Sequence, residues 1–189
     1  KSRSRGLGDV YKRQTPPTIG FTAGTTNPDA TAVLEQYGVI NRIDIADGGS
    51  GYTGTPTLTI EEPQTVSFGT FDDVSGTTIT VPDNPFTNGM RVVYDNNGGS
   101  ENVGLTSGNI YYIVNKSGNN FGVSSSNGGS AISLTTSADS ESGESHSLKG
   151  VNAAATVTMT GDVISGITIT EQGTLSVSYT HLRAHETST

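Results

Sequence analysis

Residues 39–50, VINRIDIADGGS, return at residues 163–174 as VISGITITEQGT, a constant shift of 124 positions. Val39, Ile40, Ile43 and Ile45 fall on Val163, Ile164, Ile167 and Ile169, Asp47 falls on Glu171, Gly49 on Gly173 and Ser50 on Thr174. Carried upstream at the same shift, Ala30 falls on Ala154 and Val33 on Val157. Self-similarity at a fixed spacing marks a repeat architecture, in which each copy is too small to bury its own apolar face. Within the stretch, Ile43 and Ile45 alternate with Arg42 and Asp44, the period of two that a half-buried strand requires. The stretch therefore reads as one small β-unit, duplicated, with other sequence placed between the copies.

Working outward, the best-preserved copy spans residues 30–63. It predicts a strand over 31–36, a tight turn at Tyr37 and Gly38, and a second strand over 39–46. The glycines of GGSG at 48–51 permit the positive φ of a compact reversal, and Tyr52 is placed to lay its ring over that turn. Pro56 fixes the start of a third strand, 57–60. Upstream, PPTIGF at 16–21 resembles the PTLTI tail of a preceding copy, so three copies are present: the end of one, a whole one, and the first part of another at 153–174. Units of two or three strands are not stable alone. The copies are expected to stack on each other or on a partner chain.

Between them lies an insert, residues 64–149. Its apolar clusters are short: VSFGTF, TTITV, MRVVY, IYYIV, NFGVS, AISL and HSL, separated by turns such as NNGGSENVG and SSNGGS. Seven short strands in this span predict a small antiparallel β-barrel or sandwich. The expected core is Phe68, Phe71, Ile79, Val81, Phe86, Val92, Tyr94, Tyr111, Ile113, Phe121, Val123, Ile132 and Leu134. With 31 % hydrophobic residues, 25 Gly and no Trp in 189 residues, the chain can build only thin cores. No sustained i, i+3, i+4, i+7 pattern is present. The fold class is all-β: short β-repeat units (15–63 and 150–175) flanking the inserted module.

The formal charge of −8 hides two populations. Lys1, Arg3, Arg5, Lys12 and Arg13 crowd the N-terminus, and His181 and His185 lie near the C-terminus. Between Thr15 and Ser176 there are four bases and 16 acids. A basic N-terminus reads as a nucleic-acid or membrane arm, or as a solvated tail. However, GDVYKRQ and VSYTHLRAHET resemble translated sequencing-adapter DNA, so segments 1–14 and 176–189 are set aside as artefactual tails of a fragment. The GYTxxPT continuation expected after Thr174 is missing, as that reading requires. No apolar run is long enough for a transmembrane helix. The basic start also lacks the apolar stretch of a signal peptide.

Little points to catalysis. Without Cys there is no thiol nucleophile, thiolate metal site or disulfide. His146, in the strand-like HSL, has no evident nucleophile beside it and reads as structural. Glu61-Glu62 and Asp72-Asp73 are adjacent pairs, not the converging carboxylates of a glycosidase. DNNGGSE, Asp95 to Glu101, is oxygen-rich enough to suggest calcium, but Thr106 stands where an EF-hand needs Glu, and hairpin turns use the same residues for their φ alone. GGSGYTG lacks the Lys and following helix of a phosphate loop, and the acidic middle repels nucleic acid. The chain is expected to be no enzyme and to need no cofactor.

GVINRIDIADGGSGYTGTPTLTI is similar to the VxxIxVxxGGSGYTxxPTVTI repeat of virion structural proteins of marine tailed phages, especially contractile-tailed ones infecting cyanobacteria. The insert, with PFTNGMRVVYDNNGG, GLTSGNIYYIV and SHSL, resembles a β-module of the same phage proteins and of some bacterial surface adhesins. Asn88-Gly89-Met90 stands where that module usually has Gly-Asp. The resemblance implies an extended tail, baseplate or fibre-associated component in the virion, partnered by copies of itself as a homo-oligomer or by other virion proteins. The alternatives are a bacterial secreted or cell-surface adhesin repeat and a non-catalytic part of a carbohydrate-active enzyme. If a host glycan or receptor is bound, loops and tyrosines of the insert are the expected surface: Tyr94, Asp95, Asn96, Asn97, Tyr111, Tyr112, Asn119 and Asn120. The competing reading is that these tyrosines alternate between core and surface and bind nothing.

Overall fold

A computed structural model describes residues 16–22, 24, 26–35, 39–99, 103–136 and 144–174. Those residues form strands, turns and irregular segments without a helix. The repeat region opens with β1 (Ile19–Phe21), β2 (Asp29–Leu34), β3 (Ile40–Asp47) and β4 (Leu58–Ile60). The insert carries β5 (Thr65–Gly69), β6 (Val74–Ser75), β7 (Thr78–Thr80), β8 (Arg91–Asp95), β9 (Ile110–Ser117), β10 (Asn120–Ser124) and β11 (Ser145–Gly150). The last copy is β12 (Ala153–Thr160) and β13 (Val163–Gln172). The expected turn at Tyr37 and Gly38 and both terminal segments, 1–14 and 176–189, lie outside the described residues.

The copies do stack on each other. Three antiparallel ribbons, β1–β4, β2–β3 and β12–β13, meet on one apolar cluster. Ala32, Ile40 and Ile43 lie at its centre, with Ile19, Leu58, Ile60, Ala155 and Ile169 packed around them. In the β1–β4 ribbon the tails of consecutive copies face each other about Gly20 and Thr59. Thr22 N donates to Thr57 O at 3.2 Å and Glu61 N to Thr18 O at 3.1 Å. Thr57 N donates to Thr22 Oγ1 at 2.9 Å, and Thr18 N to Glu61 Oε2 at 3.1 Å. Thr18 and Thr57, and likewise Thr22 and Glu61, are equivalent positions, so the ribbon has a local two-fold.

The hairpins correct one part of the sequence alignment. Both carry two bulges, and the bulges set the true equivalence. Ala30 pairs with Ile45 and Leu34 with Ile40; in the second copy Ala155 pairs with Ile169 and Met159 with Ile164. The second strands keep the shift of 124, but the first strands are shifted by 125: Ala30 answers to Ala155, not Ala154, and Val33 to Thr158, not Val157. The cause is the hairpin loop, one residue shorter in the second copy, where Thr160 pairs with Val163 around Gly161 at φ 64°. A fixed shift slips once the loop length changes, and a one-residue slip would exchange the two faces of a strand.

Where the copies touch, the first GGSG turn leans on the second hairpin. Ile164 N donates to Gly48 O at 3.1 Å, and Gly51 N donates to Asp162 Oδ2 at 3.1 Å. Gly49 and Gly51 take φ of 66° and 76°, and Asp47 Oδ1 accepts from Gly49 N at 2.9 Å to close the turn. Tyr52 is buried, its hydroxyl 3.1 Å from where a Cβ on Gly49 would stand.

The insert is one seven-stranded antiparallel sheet in the order β5-β11-β8-β9-β10-β7-β6. Laid flat, its edge strands would stand about 29 Å apart at ~4.8 Å per strand. Yet β5 and β6 are consecutive, joined only by residues 70–73, with Asp73 N bonded to Gly69 O at 3.3 Å. The sheet therefore rolls until its edges approach, and encloses a core separate from that of the repeats. Phe68, Ile79, Phe86, Val92, Tyr94, Tyr111, Ile113, Phe121, Val123 and Leu134 are buried as expected, while Val81 and Ile132 are partly buried. Phe71 is 38 % exposed, because it falls in the 70–73 turn and not on a strand. AISL is not a strand either: Ile132 N bonds Val123 O, Leu134 N bonds Gly76 O and Thr135 N bonds Val103 O. Three different partners leave it no ladder, and β6 takes its place among the seven.

Candidate functional site

Alternation along β8 and β11 sorts the candidate residues. Val92 and Tyr94 on β8, with His146 and Leu148 on β11, point into the core. Tyr94 is 1 % exposed and His146 is 0 % exposed. Tyr94 Oη lies 2.7 Å from His146 Nδ1. His146 Nε2 lies 3.5 Å from Glu144 Oε2, and which of Tyr94 Oη and His146 Nδ1 donates in their shared hydrogen bond is set by the imidazole tautomer. Burial, with the charges of Tyr111, Asp95 and Glu144 adding to it, pushes the Tyr94 phenol up to about 12. Tyr111 stands edge-on to Tyr94 at 6.4 Å, and its Oη accepts from Thr106 N at 2.9 Å. Two of the three candidate tyrosines are thus core residues, and the recognition surface expected from Tyr94 and Tyr111 is corrected. Their hydroxyls sit inside a hydrogen-bonded aromatic cluster that stabilises the sheet.

Tyr112, on the opposite face of β9, is partly exposed and pairs with Arg91 and Ser124. Asn119 and Asn120 lie at the β9–β10 hairpin. There Asn119 Oδ1 accepts from Asp83 N at 3.3 Å and Asn120 Oδ1 from Thr80 Oγ1 at 3.0 Å. Asp95, Asn96 and Asn97 lie at the end of β8, beside the start of β9. The two asparagine-rich loops are therefore at opposite ends of β9, about 24 Å apart at ~3.4 Å per residue, and they do not form one surface.

The 95–99 loop uses its oxygens internally. Asp95 Oδ1 accepts from Asn97 N at 2.8 Å and from Ser107 Oγ at 3.3 Å. Asn96 Oδ1 accepts from Gly98 N at 3.3 Å, and Asn97 Oδ1 accepts from Ser147 Oγ at 3.2 Å. Asn97 and Gly98 take φ of 51° and 78°, the left-handed backbone that favours Asn and Gly. These contacts give the loop the hairpin-turn role. A calcium ion would compete with them for the same oxygens, and Glu101 lies outside the described residues. Among the described residues no three His, Cys, Asp or Glu side chains converge. Three of the four paired carboxylates have structural partners: Glu61 Oε2 accepts from Thr18 N, Glu62 holds Lys149 and Asp73 Oδ2 accepts from Gly69 N at 2.7 Å.

The outer face of the same strands forms a groove of about 570 Å³, lined by Thr65, Val93, Asp95, Asn97, Ser147, Lys149, Gly150, Val151 and Asn152. Its axis follows β11. Lys149 stands beside Thr65 and Val93, and Ser147 beside Asp95. Asn97 closes one end, its amide donating to Ser145 O at 2.8 Å. Lys149 Nζ reaches Glu62 Oε2 at 2.6 Å, and that bond draws the Glu62 carboxyl below its ordinary value. Of the residues named from sequence, only Asp95 and Asn97 line the groove. Thr65, Val93, Ser147, Lys149 and Asn152 were missed. Period-two alternation could have turned Ser147 and Lys149 outward, but the pairing of β5, β11 and β8 joins segments far apart in sequence.

The groove opens beside the joint between insert and repeat. Gly150 N donates to Gln64 O at 3.1 Å, and Thr174 N to Val151 O at 2.9 Å. Thr174 Oγ1 accepts from Val151 N at 2.9 Å and donates to Arg91 O. Arg91 Nη1 bonds Glu171 Oε1 at 2.8 Å, and that bond holds the Glu171 carboxyl below its ordinary value. No protein-family model, curated protein or solved structure matches this chain.

Proposed function

We propose that this chain is a structural component of a phage virion, in its tail, baseplate or a fibre-associated part, and that it works by assembly and binding without catalytic turnover. The observation that carries the reading is the shared core of the repeats. Ala32, Ile40 and Ile43 of one copy are covered by Ala155, Ile167 and Ile169 of the next and by tails of two copies. A unit that gains its core only from its neighbours suits an elongated, repetitive particle part. The GGSGYT repeat resemblance supports the same reading, and the acidic middle suits solubility at high copy number and disfavours nucleic acid as a partner. Partners are copies of this chain or other virion proteins, and the insert is the part that faces outward to a host surface.

The test is localisation. Gold-labelled antibody raised against the purified chain is applied to virus-sized particles and to cells separated from one marine sample. Label on particle tails supports the proposal. Label confined to cell envelopes replaces it with the adhesin reading, and release of sugar from a polysaccharide by the purified chain overturns the non-catalytic part.

A further inference from the structure

We infer that the groove along β5, β11 and β8 binds a neutral saccharide. Its volume of about 570 Å³ falls within the range of small-molecule sites, and six of its nine lining residues carry polar side chains set among apolar surface. Among the described residues, the charged side chains lining it are Asp95 and Lys149. The Lys149 ammonium is already held by Glu62 at 2.6 Å, so an anion would have to displace one carboxylate and approach another. An apolar ligand would strip water from Asp95 and Lys149 without replacing it. Sugar hydroxyls both donate and accept. They match a groove that offers a carboxylate at Asp95, an ammonium at Lys149, a hydroxyl at Thr65 and an amide at Asn152. Val93, midway along the floor, presents an apolar patch for the C–H face of a pyranose ring. From Ser147 through Lys149 to Val151, same-face positions extend about 14 Å at ~6.8 Å per pair of residues, room for a short oligosaccharide.

The polar groups are also held in place before any ligand arrives. Asp95 is fixed by Asn97 N and Ser107 Oγ, and the Asn97 side chain by Ser145 O and Ser147 Oγ. Ordering these side chains at the moment of binding would weaken affinity, and here that ordering is already done by the fold. The inference stands on the groove's own geometry. It survives if the chain proves to belong to a cell surface and not a virion, and its failure would leave the virion proposal untouched.

The full chain is screened on an array of neutral and acidic glycans, and the strongest neutral binder is titrated while backbone amide resonances are followed. Shifts centred on Thr65, Val93, Ser147 and Lys149 are expected. Thr65→Arg, an exposed position on the groove wall, should block binding. Asp95→Asn should weaken it about tenfold, the effect of losing a charged hydrogen bond. Thr168→Arg, exposed on the repeat hairpin, should bind as wild type, and the amide spectra of all three verify folding. Absence of any neutral binder at millimolar sugar overturns the inference. So does binding only to sulfated or sialylated glycans, an affinity unchanged in both Thr65→Arg and Asp95→Asn, or shifts centred on Asn119 and Asn120.

Discussion

Replacing Gly48 by alanine should uncouple the two repeat copies. A Cβ at Gly48 would lie 2.2 Å from Ile164 O and 2.7 Å from Val163 Cγ1. A comfortable carbon–oxygen contact is about 3.3 Å, so the hairpins must part by about 1 Å. Gly48 shows no positive φ, and the penalty is therefore one of contact and not of backbone conformation. Parting strains the packing by about 1–3 kcal/mol. It also stretches the Ile164 N to Gly48 O bond and the neighbouring Gly51 N to Asp162 Oδ2 bond, each now 3.1 Å and each worth about 1 kcal/mol. The expected total is about 3 kcal/mol, or a fall in Tm of about 6–12 °C for a chain of this size. Gly54→Ala is the matched control, since nothing lies within 4 Å of its Cβ, and it should be neutral or slightly stabilising. Urea denaturation gives the energy, and amide exchange at Ile164 gives the location. If Gly48→Ala and Gly54→Ala agree within about 0.5 kcal/mol, the copies do not stack through this turn.

Tyr94→Phe should cost about 1–3 kcal/mol by leaving His146 Nδ1 buried without its partner, read by urea denaturation; a loss within error would remove the phenol from the core. The Tyr94 phenol is raised, so its contribution is complete below the ordinary value of 10 and is lost as pH climbs towards about 12; absorbance should show one tyrosinate emerging well after the others. The Arg91–Glu171 pair is partly exposed at 33 % and 37 %, so a double-mutant cycle should give under about 1 kcal/mol at neutral pH. Because the Glu171 carboxyl is lowered, that coupling holds above the ordinary 4.5 and fades as pH falls below it; coupling that persists in strong acid would contradict the ion pair. Thr174→Val removes the hydroxyl that accepts from Val151 N and donates to Arg91 O, and should cost about 1–3 kcal/mol with faster exchange at Val151.

Strand identity was legible where side chains alternate. INRIDIA declares its buried face through Ile43 and its solvent face through Arg42 and Asp44, and the structure gives that face and joins Arg42 to Asp44 at 2.8 Å. The repeat was legible through its glycines, because Gly49 and Gly173 both take φ near 66° and few other residues substitute there. What alternation cannot give is pairing across long separations. β5 joins β11 across most of the insert, and no local pattern encodes that. Hence AISL, apolar and short, read as a strand until its three separate hydrogen-bond partners were known. The candidate surface failed at Tyr94 and Tyr111 for a related reason. Tyrosine suits both core and surface, and only the sheet's inward face decides between them.

The joint explains how a large insert can sit inside a repeat array. Thr65 pairs with Lys149, and Gly150 N bonds Gln64 O, so the insert leaves the repeat and returns to it at one place. β4 and β12 can then pack together much as they would across a short linker. Thr174, the counterpart of Ser50 in the whole copy, has a hydroxyl that ties Val151 and Arg91 together. At Ser50 the same position pairs with Thr26, N to O at 3.3 Å in both directions. One repeat position thus serves a turn in one copy and an anchor for the insert in the other. An insert attached this way can change its outer groove without altering the stacked core, which is built by Gly48, the alternating isoleucines and the two paired tails. Exchanging residues 65–149 for a short glycine-rich turn should therefore preserve the β3–β13 contact, including slow exchange at Ile164. Loss of that protection would show that the insert is required for the stack.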